Sequence, residues 1–325
     1  MRFLAFFLFS IQCAVAAMSP LARDMLVPQL ADKSYAEAKV ILEQHEASLV
    51  ARVDPSARIP MRTGYTRYKL QEAKTPFVFV VIHGLFRNPG QFRHLYSMIE
   101  GYQQNVIYMN LPGHGMDMYA AGKVRQSDWV SSMRRAAAGA MALGDKIIFL
   151  TQSTGGALSL IHTLDHPETV AGLFMIEPAI RVNNLISTLT CLAHPVMPSV
   201  NWIYRFAGRE DDLSQLPYMG TRMGCEAGRL MRHYLRDNSQ QDSRTQRETE
   251  IFARVNVPVI IFNNMADQIV SPRAIQRFAN TVTGPKFYVE IPRETASYHA
   301  DEEFMFGIIQ QQQAAVTSFF QAVGL

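Results

Sequence analysis

The sequence predicts an α/β fold, with a mostly parallel central sheet, helices on both faces and an inserted helical cap. Three observations predict it. Short runs of consecutive apolar, β-branched and aromatic residues recur along the chain, as strands covered on both faces require. Segments of helical character, such as 127–143 and 156–164, separate several of these runs, which predicts right-handed crossovers. With 325 residues, 48% of them hydrophobic and 18% charged, the chain has enough apolar surface for one large core.

The elements follow in order. Ser34-Tyr35-Ala36-Glu37 has capping-box spacing, and the residues after it favour helix until Asp54-Pro55 stops it. Residues 64–70 alternate weakly and read as an early antiparallel strand, with Lys74-Thr75-Pro76 turning into the next. The parallel strands are expected over 77–82, 106–109, 146–150, 172–176, 259–262 and 286–291. Ligands of such sheets bind beyond the carboxyl ends of the strands, so the residues that close each run carry the functional argument.

The stretch 146–157, KIIFLTQSTGGA, is the most informative of these ends. An apolar strand stops on Ser153, set among small residues, and a helix opens at once. We read Ser153 as a nucleophile on a sharp turn, where the residues two before and two after must be small so that helix and strand approach closely. Gly155 meets that demand and Thr151 meets it in part. The competing reading is an ordinary turn serine; the position after a buried strand and before Gly155-Gly156 favours the nucleophile.

A serine hydroxyl is a poor nucleophile until an imidazole takes its proton, and that imidazole needs a carboxylate to fix its tautomer. Asp267, before the helix start Val270-Ser271-Pro272, and His299, before Asp301-Glu302-Glu303, are the candidates for acid and base. Glu177 competes for the acid's role, since it closes the strand that follows the nucleophile; we read it instead as a wall residue or salt-bridge partner. His83 and His114 compete for the base's role, but neither falls after the acid in the chain, and His83 reads as bracing its loop. Residues 110–117 likewise read as structural, with Pro112, Gly113 and Gly115 shaping a turn.

The charge balance, 31 basic against 28 acidic residues with a net +3, contains no long run of either sign, so nothing points to nucleic acid. HExxH, CxxC, P-loop and Rossmann glycine patterns are missing, so no metal, nucleotide or dinucleotide cofactor is indicated. At the N-terminus Arg2, the apolar stretch 3–11 and Ala14-Val15-Ala16 read as a signal peptide over 1–17, cleaved near Ala16 or Ala17. The apolar run falls short of the roughly 20 residues of a spanning helix, which argues against an uncleaved anchor. Export, to periplasm or medium, is therefore expected. Cleavage discards Cys13 and leaves Cys191 and Cys225, an even pair compatible with one disulfide in an oxidising compartment or with two buried thiols.

Five motifs stand at strand ends: HGLF at His83, NLPGHGMD at Asn110, TQSTGG at Thr151, ADQIV at Ala266 and SYHA at Ser297. With nucleophile, acid and base in the order Ser, Asp, His, they make the chain from about 67 to 325 resemble an α/β-hydrolase. Within that superfamily it is most similar to the monoacylglycerol lipase, lysophospholipase and serine aminopeptidase-like group. The resemblance implies catalytic Ser153, Asp267 and His299. It also implies an oxyanion hole from the backbone N–H groups of Leu85 and Thr154, and a substrate that is a small carboxylic ester of lipid-like kind. Aminopeptidase or thioesterase activity on the same triad is the nearer alternative; a non-catalytic fold that binds lipid or protein is the distant one. Aspartate-nucleophile chemistry, as in haloalkane and epoxide hydrolases, does not suit Ser153.

The chain between Ser153 and Asp267 is longer than one or two strand–helix units need. We read 181–250 as a cap over the strand ends, inserted between core segments 18–180 and 251–325. Its apolar patches 185–192 and 196–206 are expected to face an acyl chain or make peripheral membrane contact. Its arginines, Arg205, Arg209, Arg222, Arg229, Arg232 and Arg236, are balanced by Glu210, Asp211, Asp212, Glu226 and Asp237 and read as solvated helix faces. No substrate-binding arginine is assigned.

Overall fold

The computed structural model describes residues 26–51, 65–114, 122–193, 221–235, 250–297, 299 and 301–325. Its strands are Arg67–Lys69 (β1), Thr75–Ile82 (β2), Asn105–Met109 (β3), Gly144–Gln152 (β4), Val170–Ile176 (β5), Val259–Asn264 (β6) and Lys286–Ile291 (β7). They form one sheet in the order β1-β3-β2-β4-β5-β6-β7. Every neighbouring pair is parallel except β1 with β3, as the early antiparallel strand led us to expect. The expected strands all form; β1 is shorter than 64–70, β7 matches its run, and the others extend one or two residues beyond their apolar runs.

Burial on both faces explains why these segments read as continuous apolar runs rather than alternating ones. Val78, Val80 and Ile82 of β2, with Ile147 and Phe149 of β4, join one core cluster. Helices Tyr35–Val50 (α1), Gln126–Leu143 (α3), Thr154–Asp165 (α4) and Pro272–Thr281 (α7) cover it, through residues such as Leu42, Trp129, Leu158 and Ile275. Phe79 and Val81, with Ile148 and Leu150, turn to the other cluster. There they meet Tyr96–Gly101 (α2), Glu302–Gln311 (α8) and Gln313–Val323 (α9), through Ile99, Met305, Phe319 and Phe320. Each fully buried aromatic or aliphatic side chain of these layers contributes about 1.5–3 kcal/mol.

The helix signals hold where the residues are described. Ser34 and Glu37 form the capping box at the start of α1. Ser271 caps α7 ahead of Pro272, and Asp301 caps α8 through Phe304 N. The signal peptide, Asp54-Pro55, residues 115–117 of the 110–117 motif, Tyr298 and Ala300 lie outside the described residues. So do 194–220 and 236–249 of the cap, with Arg205, Arg209, Glu210, Asp211, Asp212, Arg236 and Asp237.

Between 181 and 250 the described residues include two helices that pack on each other, Asn184–Ala193 (α5) and Thr221–Tyr234 (α6). Cys191 and Cys225 bring them together, with sulfurs 2.03 Å apart and Cα atoms 4.6 Å apart. α6 also packs on α3 and α4 and buries Met223, Leu230 and Met231. One expectation is corrected here. Glu226 is not on a solvated face: it is buried, accepts from Gln126 N at 3.0 Å and pairs with Arg229 at 2.7 Å. An ordinary charge balance in the sequence concealed a tie between α6 and the start of α3.

Candidate active site

The carboxyl ends of β2, β4, β5, β6 and β7 converge because the strands are parallel neighbours, with β4 central. Ser153 follows the last residue of β4 and precedes α4. Its φ of 49° and ψ of −113° lie in a region that non-glycine residues rarely adopt, at a cost of about 1–3 kcal/mol. The turn is held on both sides. Ser153 N donates to Ile176 O at 3.0 Å, and its carbonyl accepts from Gly156 N at 2.9 Å and Ala179 N at 2.8 Å.

Gly155 lets α4 start directly against β2, since a Cβ there would overlap the Ile82 carbonyl. Gly155→Ala is therefore expected to lower stability by about 1–3 kcal/mol, read as a fall in thermal midpoint. An unchanged midpoint would contradict the close approach. Thr151, the larger residue on the other side of the elbow, is accommodated by full burial, with its hydroxyl donating to Phe174 O at 3.2 Å.

His299 joins the two other candidates. Its Nε2 lies 3.0 Å from Ser153 Oγ and its Nδ1 lies 2.5 Å from Asp267 Oδ2. An ionised carboxylate only accepts, so the Nδ1–H points at Asp267 and the Nε2 lone pair faces the serine hydroxyl. Asp267 is itself fixed by its other oxygen, which accepts from Ile269 N at 2.7 Å and Val270 N at 3.0 Å. Burial pushes the His299 imidazole down, but the Asp267 carboxylate, its hydrogen bond and then Glu177 outweigh that, against Arg87, and hold it above the ordinary 6.5.

Glu177 is nearer the centre than a wall residue. Its carboxylate is buried 3.5 Å from His299 Nδ1, so the ion-pair partner we expected for it is the imidazole itself. The donor atoms of Glu177, Asp267 and His299 lie within 4.8 Å of one another, close enough for a metal ion.

Leu85 follows β2 and Thr154 is the first residue of α4, directly after Ser153. Among the described residues neither backbone N–H is paired with an acceptor. The Thr154 amide belongs to the amino-terminal end of a helix, which favours negative charge.

The loop carrying Leu85 is braced by groups other than Ser153, Asp267 and His299. Leu111 N donates to His83 Nε2 at 3.0 Å, so His83 Nδ1–H donates to Gly84 O at 2.8 Å. Phe86 N donates to His114 Nε2 at 3.1 Å. Burial pushes His83 down to about 4 and His114 well below its ordinary value, so both are neutral braces near pH 7. Gln91 accepts from Gly84 N at 2.8 Å. Arg87 and Arg93 both meet Glu302 of α8, which ties this loop to the helix after His299.

Sequence reasoning missed Gln91, Gln152, Asn264 and the Arg87–Glu302 pair. Asn264 accepts from Ala266 N at 2.9 Å and donates to Ser297 O at 3.0 Å and Glu177 Oε1 at 2.9 Å. It thereby joins the acid's turn to the base's loop. The available signal was that β4, β5 and β6 each run from apolar residues into a polar one, Gln152, Glu177 or Asn264, at the same edge of the sheet.

A mostly parallel central sheet with Ser153 at an elbow after β4, Asp267 on the turn after β6 and His299 on the loop after β7 is the layout of an α/β-hydrolase. The sequence pattern of the family described as serine aminopeptidase, S33, matches residues 73–295, and the chain belongs to that family. No curated protein sequence matches the chain. Among solved structures it is similar to one reported for LipS and LipT, two metagenome-derived lipolytic enzymes, at 18% identity and TM-score 0.60, covering 77% of this chain and 96% of that one. It is also similar to the monoacylglycerol lipase of Paleococcus ferrophilus, at 18% identity and TM-score 0.53, covering 77% and 98%. A soluble variant of the Saccharomyces cerevisiae monoglyceride lipase, in complex with a substrate analog, gives 15% identity and TM-score 0.55, covering 77% and 90%.

Proposed function

We propose that the protein is an exported serine hydrolase that cleaves a carboxylic ester of lipid-like kind, such as a monoacylglycerol or lysophospholipid. The observation that carries this reading is the His299 imidazole, 3.0 Å from Ser153 Oγ on one side and 2.5 Å from Asp267 on the other. Ser153 Oγ attacks the acyl carbonyl while His299 Nε2 takes its proton, and Asp267 stabilises the imidazolium. The oxyanion is held by Leu85 N–H and Thr154 N–H. Collapse expels the alcohol, which takes the proton from His299. Water then repeats the sequence on the acyl-enzyme and frees Ser153.

The lipid-like substrate is supported by the likeness to monoacylglycerol lipases and by the apolar patches of 181–250, which we assign to a cap over the site. The family's own description favours a second reading, hydrolysis of an aminoacyl amide by the same three residues. A panel of p-nitrophenyl esters of increasing acyl length, monoacylglycerol, lysophospholipid and aminoacyl amides separates them. Turnover of long-chain esters, abolished by Ser153→Ala, is the expected result. Preference for aminoacyl amides sinks the ester reading, and a sharp preference for short acyl groups sinks the lipid one.

The general base must be neutral to act, and a raised His299 deprotonates only above its ordinary 6.5. The acidic limb of kcat/KM is therefore expected to rise with pH through a midpoint above that value. A profile flat from about pH 5 to 8 would contradict His299 as base. Export rests on the 1–17 segment and on the cysteine pair, which an oxidising compartment preserves. Amino-terminal sequencing of the exported chain is expected to begin near Met18, and a start at Met1 would contradict it.

A further inference from the structure

We infer that Glu177 is a positioning residue of this site: a second carboxylate that shares the Nδ1–H of His299 with Asp267. The inference rests on the triad reading above and deepens it. Glu177 follows β5 with its side chain fully buried, and its φ of 44° is a conformation that a non-glycine residue adopts only where its surroundings impose it. What imposes it is on both sides. Its backbone N–H donates to Phe262 O on β6 at 2.9 Å, while its side chain turns into the site.

There the carboxylate meets N–H groups of Asn264, Gln152 and His299. Asn264 Nδ2 donates to Oε1 at 2.9 Å, Gln152 Nε2 donates to Oε2 at 3.4 Å, and His299 Nδ1 lies 3.5 Å from that same Oε2. Three consecutive strand ends, those of β4, β5 and β6, thus surround one buried carboxylate that also lies beside the imidazole. A carboxylate serving only as a strut would be satisfied by Asn264 and Gln152. This one is aimed at the edge of His299 that also holds Asp267, so one proton faces two acids. The Nδ1–H bonds Asp267 at short range, and Glu177 limits how far the ring can swing away.

The charged groups facing His299 come from three elements. Asp267 stands on the turn after β6, Glu177 on the end of β5, and Arg87 on the loop after β2, where it pairs with Glu302. Glu177 favours the protonated ring and Arg87 opposes it. Removing the Glu177 charge therefore moves the base's titration in a direction that simple loosening of the fold does not dictate.

The test uses the whole chain with Glu177→Gln, Glu177→Asp, Asp267→Ala and Asp267→Ala/Glu177→Gln, following kcat and KM on a p-nitrophenyl ester against pH, with thermal unfolding alongside. Glu177→Gln is expected to lower kcat about tenfold with KM little changed, and to move the acidic limb to lower pH. Glu177→Asp keeps the charge but withdraws it by one methylene, so its limb moves the same way by less; this milder variant carries the test by itself. Asp267→Ala is expected to retain activity that falls at least about tenfold further when Glu177→Gln is added, because the two acids act on one proton.

A wild-type limb in the folded Glu177 variants, or a double variant no slower than Asp267→Ala, overturns the role of Glu177 alone. Fluorophosphonate labelling is recorded on the same wild-type sample. Its absence at Ser153 overturns the triad reading and this inference with it.

Discussion

Ser153→Ala is expected to lower kcat/KM on an acyl ester by about a millionfold while the protein remains folded. The acyl-enzyme cannot form without Oγ, the hydroxyl that His299 Nε2 meets at 3.0 Å. What remains is what the oxyanion donors and substrate binding give to attack by water. The stability change is expected to be small. Alanine occupies the same φ of 49° with the same Cβ, so the elbow's strain is unchanged. The one bond lost is that to His299, worth about 0.5–1.5 kcal/mol. Steady-state kinetics with a thermal scan checks both halves; a loss of less than about a hundredfold would move the nucleophile elsewhere.

Asp267→Asn is expected to cost about ten-thousandfold in kcat with the backbone intact. The reason lies in the two oxygens. Oδ1 accepts from Ile269 N and Val270 N, and Oδ2 accepts from His299. An asparagine keeps its carbonyl on the two backbone donors, which leaves its NH2 facing His299 Nδ1. The ring then becomes the acceptor at Nδ1 and carries its proton on Nε2, where it faces Ser153 and cannot take the serine's proton. KM is expected to change little, because Asp267 acts through His299. An unaltered kcat would show that Glu177, and not Asp267, holds the tautomer.

The parts of this site that were legible in the sequence are those with a local cause. Ser153 announced itself because an elbow needs a buried strand before it and Gly155 after it, all within a dozen residues. Asp267 and His299 were legible through motif context and chain order. The strand positions were visible because a sheet buried on both faces leaves uninterrupted apolar runs. Their ends were misjudged because hydrogen bonding, not hydropathy, extends β4 back to Gly144 and β6 on to Asn264.

The second acid was not legible in the same way. Glu177 could be seen as a strand-end carboxylate, but its partner is 122 residues away. Only the pairing of β5 between β4 and β6 brings Gln152, Glu177 and Asn264 together under His299. Glu226 was misread for a related reason: Arg229 stands one turn along the same helix, but Gln126 N becomes its neighbour only when α6 docks on α3. A one-dimensional charge balance carries no trace of that docking.

The central claim is that Ser153, activated by His299, is the nucleophile. Treatment of the folded protein with a fluorophosphonate, followed by intact mass and peptide mapping, tests it most directly. One adduct per chain is expected, located on Ser153, absent from Ser153→Ala and forming faster as pH rises through the His299 ionisation. No adduct on the folded wild-type protein, or an adduct that persists in Ser153→Ala, would contradict it.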